Sequence, residues 1–250
     1  VEILLALPKS LVKQAFLLRS CLSPRLNGND RNISGVILQY HSVTAEKRSS
    51  LPYVSPSLSV TVRDFDKQMS FMKKYYQPQS LTRFLAKHKD NLKSNKCMFV
   101  VSFDDGYRDN YTYALPILKK HSIPAIFYLT VDCIDRRPPW PSELRFFIYK
   151  TKKTLLNLSS VSVSFLVDDK FNKDATYNSL KKMMVRMNRS DREAVLSEIS
   201  RKTALSVSEM KELDSLMLTW KDIWEMRAAG MEFGSHTLSH PSLYLPRRGR

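Results

Sequence analysis

The sequence predicts an α/β fold built on parallel strands. Three features predict it: short apolar runs that do not alternate, helical-period segments between them, and polar turns rich in Asp and Gly where the runs end. The first 33 residues combine an amphipathic stretch (Leu11, Val12, Ala15, Phe16) with a turn-forming piece, Asn27-Gly28-Asn29-Asp30. They read as a peripheral helix and linker; a helix lying on a membrane surface is the alternative, since Lys9, Lys13 and Arg19 flank the apolar positions. Gly35 to Tyr40 (GVILQY) is apolar without alternation, as expected of a strand covered on both faces. Phe65, Met69, Met72 and Tyr76 recur at helical spacing behind a candidate cap at Thr61, and Ser80 opens a second helix through His88. Phe99 to Phe103 and Pro124 to Leu129 repeat the strand signature. Between them Tyr111, Leu115 and Leu118 keep a helical period in which Pro116 marks a first turn or a kink. From Arg136 to Leu218 the chain turns Lys-rich and helical around one strand-like run, Val161 to Val167, and reads as an insertion. Thr219 and Asp222 form a capping box for a helix from Trp220 to Ala229, stopped at Gly230, and Met231 to Gly234 re-enters the sheet.

Composition narrows the function classes. With 250 residues, 43% hydrophobic and 26% charged, the chain has enough apolar surface for one sizeable core, which excludes a disordered or collagen-like protein. No apolar run reaches the roughly 18 residues of a membrane span. The net charge of +16 invites a polyanionic partner. Its Lys and Arg pairs, however, are scattered at 73–74, 119–120, 136–137, 152–153 and 181–182, so no basic stripe forms and no nucleic-acid partner is expected. Cys21, Cys97 and Cys133 are too widely spaced for a zinc knuckle or redox pair and read as buried thiols.

Two stretches carry chemistry. In FVVSFDDGYRDN, Asp104 and Asp105 follow an apolar strand and precede a Gly turn, the position where α/β active sites lie. Adjacent carboxylates repel, so the pair calls for a cation or for protons: a divalent metal on one leaves the other available as a base, while an exposed turn is the simpler alternative. In MEFGSHTLSHPSL, His236 and His240 stand four apart, which in a helical turn puts both imidazoles on one side. Two histidines and a carboxylate from two strand ends suit zinc-assisted hydrolysis or iron oxygenase chemistry, and the spare carboxylate of Asp104 favours hydrolysis. His41, just after the first strand, falls near the same face as a second-shell or substrate-contact candidate, or as a core histidine. His88 and His121 end helical segments and read as structural.

FDDGY and SHTLSH, together with YHSV at Tyr40 to Val43, LPILKKHSIPAIFYL and LTWKDIWEMRAAGMEFGSHT, resemble the polysaccharide deacetylases, the NodB-homology domain or carbohydrate esterase family four. The resemblance covers roughly residues 34–134 and 217–243. It implies an incomplete, distorted (β/α) barrel over residues 34–250, with the helical insertion at about 136–218. It further implies Asp104 as catalytic base and Asp105, His236 and His240 as ligands of a divalent metal, most often zinc. The expected reaction is attack of an activated water on an acetamido carbonyl, a tetrahedral oxyanion, and loss of acetate from an N-acetylated polysaccharide. O-deacetylation uses the same metal site. The family's later arginine, aspartate and general-acid histidine motifs have no counterpart, because after Leu243 the sequence reads YLPRRGR and ends. A truncated chain is therefore expected, and a catalytically incomplete glycan-binding fragment is the alternative function. Such substrates point to the cell envelope or the exterior, with peripheral envelope association, although no export signal is visible and a cytoplasmic site stays open.

Overall fold

In the computed structural model, residues 2–5, 35–45, 52–89 and 97–241 are described. The amphipathic stretch Leu11–Phe16, Cys21 and the basic end after Leu243 lie outside them. The chain runs through β1 (Glu2–Leu5), β2 (Gly35–Tyr40), β3 (Ser42–Thr44), β4 (Ser59–Thr61), α1 (Val62–Tyr75), β5 (Gln77–Pro78) and α2 (Leu81–Lys89). Next come β6 (Met98–Phe103), a π-helical turn (Asn110–Ala114), α3 (Leu115–His121) and β7 (Ala125–Leu129). The helical stretch holds α4 (Trp140–Lys150), β8 (Leu155–Leu158), β9 (Val163–Leu166), α5 (Lys170–Met184), α6 (Arg189–Thr203) and α7 (Val207–Asp214), before α8 (Trp220–Ala228) and β10 (Glu232–Ser235). Two compact units result. The first comprises residues 1–51, 55–129 and 218–236; the second comprises 52–54, 130–217 and 237–250.

The first unit is a mixed α/β structure around an all-parallel sheet in the order β1-β2-β6-β7-β10, with β5 pairing the amino-terminal end of β6. Among the described residues the end strands β1 and β10 do not pair with each other. The strand at Glu2–Leu5, which the sequence reading had not assigned, pairs in register with Val36–Gln39.

Register is fixed by an aromatic row. Tyr40 lies opposite Phe103, Phe103 opposite Phe127 and Phe127 opposite Phe233. Their rings touch in sequence, at centroid distances of 5.5, 4.8 and 5.8 Å. Cross-strand aromatic pairs of this kind each contribute roughly 0.5–1 kcal/mol beyond burial. Phe65 of α1 closes the row from one face, with its ring 5.1 Å from Tyr40. Because strand side chains alternate, the opposite face carries Ile37, Met98, Val100, Ile126 and Tyr128, covered at the amino end by Leu81 and Phe84 of α2. Both faces of the central strand β6 are thus covered, with every residue from Met98 to Phe103 buried, which explains its non-alternating sequence.

Helix ends follow their local chemistry. The Thr61 hydroxyl accepts from Asp64 N at 3.1 Å, and Pro116 occupies the first turn of α3. Thr219 and Asp222 form the capping box of α8. The Glu232 carboxylate of β10 accepts from Leu81 N at 2.9 Å and caps α2 from across the sheet. In the second unit, α4 to α7 and the antiparallel hairpin β8–β9 enclose Phe146, Phe147, Leu180, Ile199 and Leu213. Among the described residues no helix is long and apolar enough to cross a membrane.

Candidate metal centre and its carboxylate pair

The aromatic row sits one step before the carboxyl ends of the strands, so the residues after it emerge along one edge. Asp104 N still donates to Tyr40 O at 3.0 Å, and His236 N to Leu129 O at 2.8 Å, extending the ladder by one bond beyond β6 and β10. Alternation turns Asp104 away from Phe103, to the side that carries Tyr128. Burial pushes the Tyr128 hydroxyl's pKa up, and the Asp104 and Glu232 carboxylates push it further. On β10, glycine at position 234 makes room for the Tyr128 ring, since a Cβ there would lie 2.7 Å from it and would force the ring to shift.

The chain then makes a strained turn. Asp105 has φ 73° and Gly106 φ 86°, both left-handed, and the former costs of order 1 kcal/mol or more in a non-glycine residue. Leu218 N holds the turn by donating to Gly106 O at 3.0 Å. The result is two neighbouring carboxylates buried together, Asp104 at 5% and Asp105 at 6% exposure. The exposed-turn alternative therefore does not describe this site.

His236 Nε2 lies 3.6 Å from Asp105 Oδ1. That is too long for a hydrogen bond, and it is close to the roughly 3.4 Å separating two ligand atoms each about 2.1 Å from one tetrahedral ion. Asp105, His236 and His240 each offer a ligand atom, and these atoms all lie within 4.8 Å of one another. One carboxylate and two imidazoles form a borderline donor set suited to zinc and its divalent neighbours, and a cation there offsets the repulsion between the buried carboxylates.

The two histidines are not on a helical turn, contrary to the sequence reading. Thr237 at φ 68° and His240 at φ 52° are left-handed, which breaks any helix between them. The loop is shaped by bonds from Val131 N to Thr237 O (3.2 Å), Asp132 N to Leu238 O (2.8 Å) and Trp140 Nε1 to His240 O (3.1 Å). The Thr237 hydroxyl accepts from His240 N at 3.1 Å.

Around Asp104 the structure gathers His41 and a residue the sequence reading passed over. His41 Nε2 lies 3.9 Å from Asp104 Oδ2, while Gln39 Nε2 donates to the same oxygen. A polar residue within the otherwise apolar run GVILQY was the available signal. His41 is itself positioned from behind: buried Asn110 donates to its carbonyl at 2.8 Å, and Asp109 accepts from the Ser42 hydroxyl and, at 3.4 Å, from Val43 N. His121 sits away from this group, 2.7 Å from Asp66 Oδ1, in the structural role expected of it. The side chain of His88 is outside the described residues.

A profile of the polysaccharide deacetylase family matches residues 91–248. YxkH of Bacillus subtilis (strain 168), which carries a polysaccharide deacetylase name, is 33% identical over 105 residues, a stretch covering 40% of this chain and 33% of that protein. The Streptococcus pyogenes deacetylase PplD, solved in complex with acetate, aligns at TM-score 0.45 and 20% identity over 82% of this chain and 57% of that one. A de-N-acetylase from Aggregatibacter actinomycetemcomitans aligns at 0.44 and 16% over 81% and 54%. The chain thus spans little more than half of those structures, and its match spans a third of YxkH.

Proposed function

The chain belongs to the polysaccharide deacetylase family, and from that premise we propose that it is a metal-dependent hydrolase removing N-acetyl, or O-acetyl, groups from a cell-wall or extracellular glycan. The observation that carries the reading is the convergence of one carboxylate and two imidazoles, from Asp105, His236 and His240, beside a second buried carboxylate. In this reading the three hold zinc and Asp104 is the base. A bound zinc would supply Lewis-acid polarisation of the acetyl carbonyl and acidify a coordinated water.

The chain's own residues then divide the remaining work. Asp104 accepts the proton of the attacking water. Gln39 donates to one carboxylate oxygen, fixing the rotamer without adding a charge that would quench basicity. His41, held through Asn110, stands where it can contact the acetylated sugar or support the base. Tyr128 stands on the side to which Asp104 turns, and burial of the carboxylate there strengthens every polar contact it makes.

The test separates ligand from base. Substitution of Asp105, His236 or His240 by Ala, or chelation, should empty the site when metal content is measured by elemental analysis. Asp104→Asn should retain metal yet lose acetate release from an N-acetylated oligosaccharide. Equal metal in His236→Ala would defeat the ligand assignment. Full glycan binding without any acetate release from the native chain would instead favour the glycan-binding reading.

A further inference from the structure

We propose that Trp140 is a positioning residue for His240, and that α6 braces it through Arg192, so that the helical stretch sets how tightly the metal is held; this rests on the metal-dependent reading above. His240 is poorly suited to keep its own place. Its φ of 52° is left-handed, a conformation that a residue with a side chain holds only where its surroundings impose it. Two bonds do so, one at each backbone polar group. The Thr237 hydroxyl accepts from His240 N at 3.1 Å, and Trp140 Nε1 donates to His240 O at 3.1 Å. The first is local, so it moves with the loop. The second spans 100 residues of sequence and ties the peptide group just after the imidazole to the start of α4.

Trp140 is in turn fixed on every side. Pro139 and Pro141 flank it at the opening of α4 and restrict the backbone there. The side chain is 8% exposed, in the same core as Leu144 and Phe147. An indole carries one donor, and when buried it directs that donor at a polar partner, here the His240 carbonyl.

Beside the ring stands Arg192 of α6. Its guanidinium carbon is 4.9 Å from the ring centroid, and its Nη2 donates to Met187 O at 3.1 Å. Arg192 is buried, and a cation removed from water is attracted most strongly to an aromatic face. One turn earlier on the same helix, Arg189 Nη2 lies 3.4 Å from Asp132 Oδ2, and Asp132 N donates to Leu238 O at 2.8 Å. Residues 237–240 and α6 belong to one compact unit. The helix therefore reaches this loop twice, through Asp132 and through Trp140.

The test reads metal affinity apart from activity. Zinc binding to the full chain, measured by competition with a chromophoric chelator, should weaken about ten- to a hundredfold in Trp140→Phe, which removes the donor and keeps a ring. Arg192→Met should weaken it about threefold, and Arg192→Lys, which keeps the cation, should restore most of that loss. Phe147→Leu, a buried change on the same helix, should lower the denaturation midpoint with zinc affinity unchanged. In a His240→Ala background, Trp140→Phe should bring no further loss, because a positioning residue acts only through the group it positions. Native zinc affinity in Trp140→Phe, an equal loss in Phe147→Leu, or a full further loss in the His240→Ala background overturns the positioning role and leaves the metal-dependent reading intact. The expected coupling in a chain that releases no acetate would sink the hydrolase reading and leave the positioning role standing. A native chain without zinc affinity would overturn both.

Discussion

Gln39 donates to the carboxylate assigned as base, and a hydrogen bond to a charged group contributes about 1.5–3 kcal/mol. Gln39→Leu is therefore expected to lower kcat for acetate release by about ten- to a hundredfold while leaving metal content and KM near native. A native kcat in that variant would remove Gln39 from the catalytic apparatus. Gly106 is constrained more simply. At φ 86° and with Leu129 Cδ2 3.0 Å from where a Cβ would sit, Gly106→Ala should cost roughly 1–2 kcal/mol, read as a lowered denaturation midpoint. The sequence marked Gly106 because glycine in an Asp-Asp-Gly turn has a local conformational meaning. Gln39 showed in the sequence only as a polar residue in an apolar run; its partner is 65 residues away, and only strand register brings them together.

The elements with local causes were the legible ones. β2, β6 and β7 appear where their unbroken apolar runs stand, and the caps of α1 and α8 sit on the residues whose side chains can reach the first-turn amides. The π-helical turn Asn110–Ala114 was not legible, since its wide geometry answers to a tertiary demand: it sets Asn110 so that its amide reaches the His41 carbonyl. The same holds for the loop from His236 to His240, where an i, i+4 spacing suggested a helical turn and the bonds from Val131 and Asp132 impose a different shape. Asn110→Ala strips the His41 carbonyl of a buried donor, so it is expected to cost about 1–3 kcal/mol in chemical denaturation. If the hold of Asn110 on His41 matters to catalysis as well as to stability, acetate release should fall at temperatures where the variant is fully folded. Native activity per folded molecule would confine Asn110 to a structural part.

At the scale of the whole molecule, the pairing of DDG with the distant histidines was suggested by donor chemistry at two strand ends and sharpened by resemblance, because no local rule connects residues 104–105 to 236–240. The division of the chain into two units, each with its own buried core, also makes its response to acid decomposable. In the helical unit Glu198 accepts from Ser159 N at 2.8 Å and Ser160 N at 2.9 Å, and hydrogen bonds from Ser160 and then Ser159 hold its pKa down at about 2, from an ordinary 4.5. In the sheet unit the Asp66 carboxyl is lowered first by its hydrogen bond from Lys120 and then by that from His121. A carboxylate with a depressed folded-state pKa stabilises fully above its unfolded value and loses that contribution as pH falls toward the folded one. For Glu198 the window runs from about pH 4.5 down to about 2. Acid also raises an already large positive charge, which destabilises both units through self-repulsion and needs to be separated from the local effect. Glu198→Gln makes that separation: it should be less stable than native at pH 7, while its melting temperature should fall less steeply between pH 4.5 and 2, so that the two curves converge in acid. Curves that stay parallel across that window would mean that Glu198 does not tie the 159–160 turn to α6 in solution.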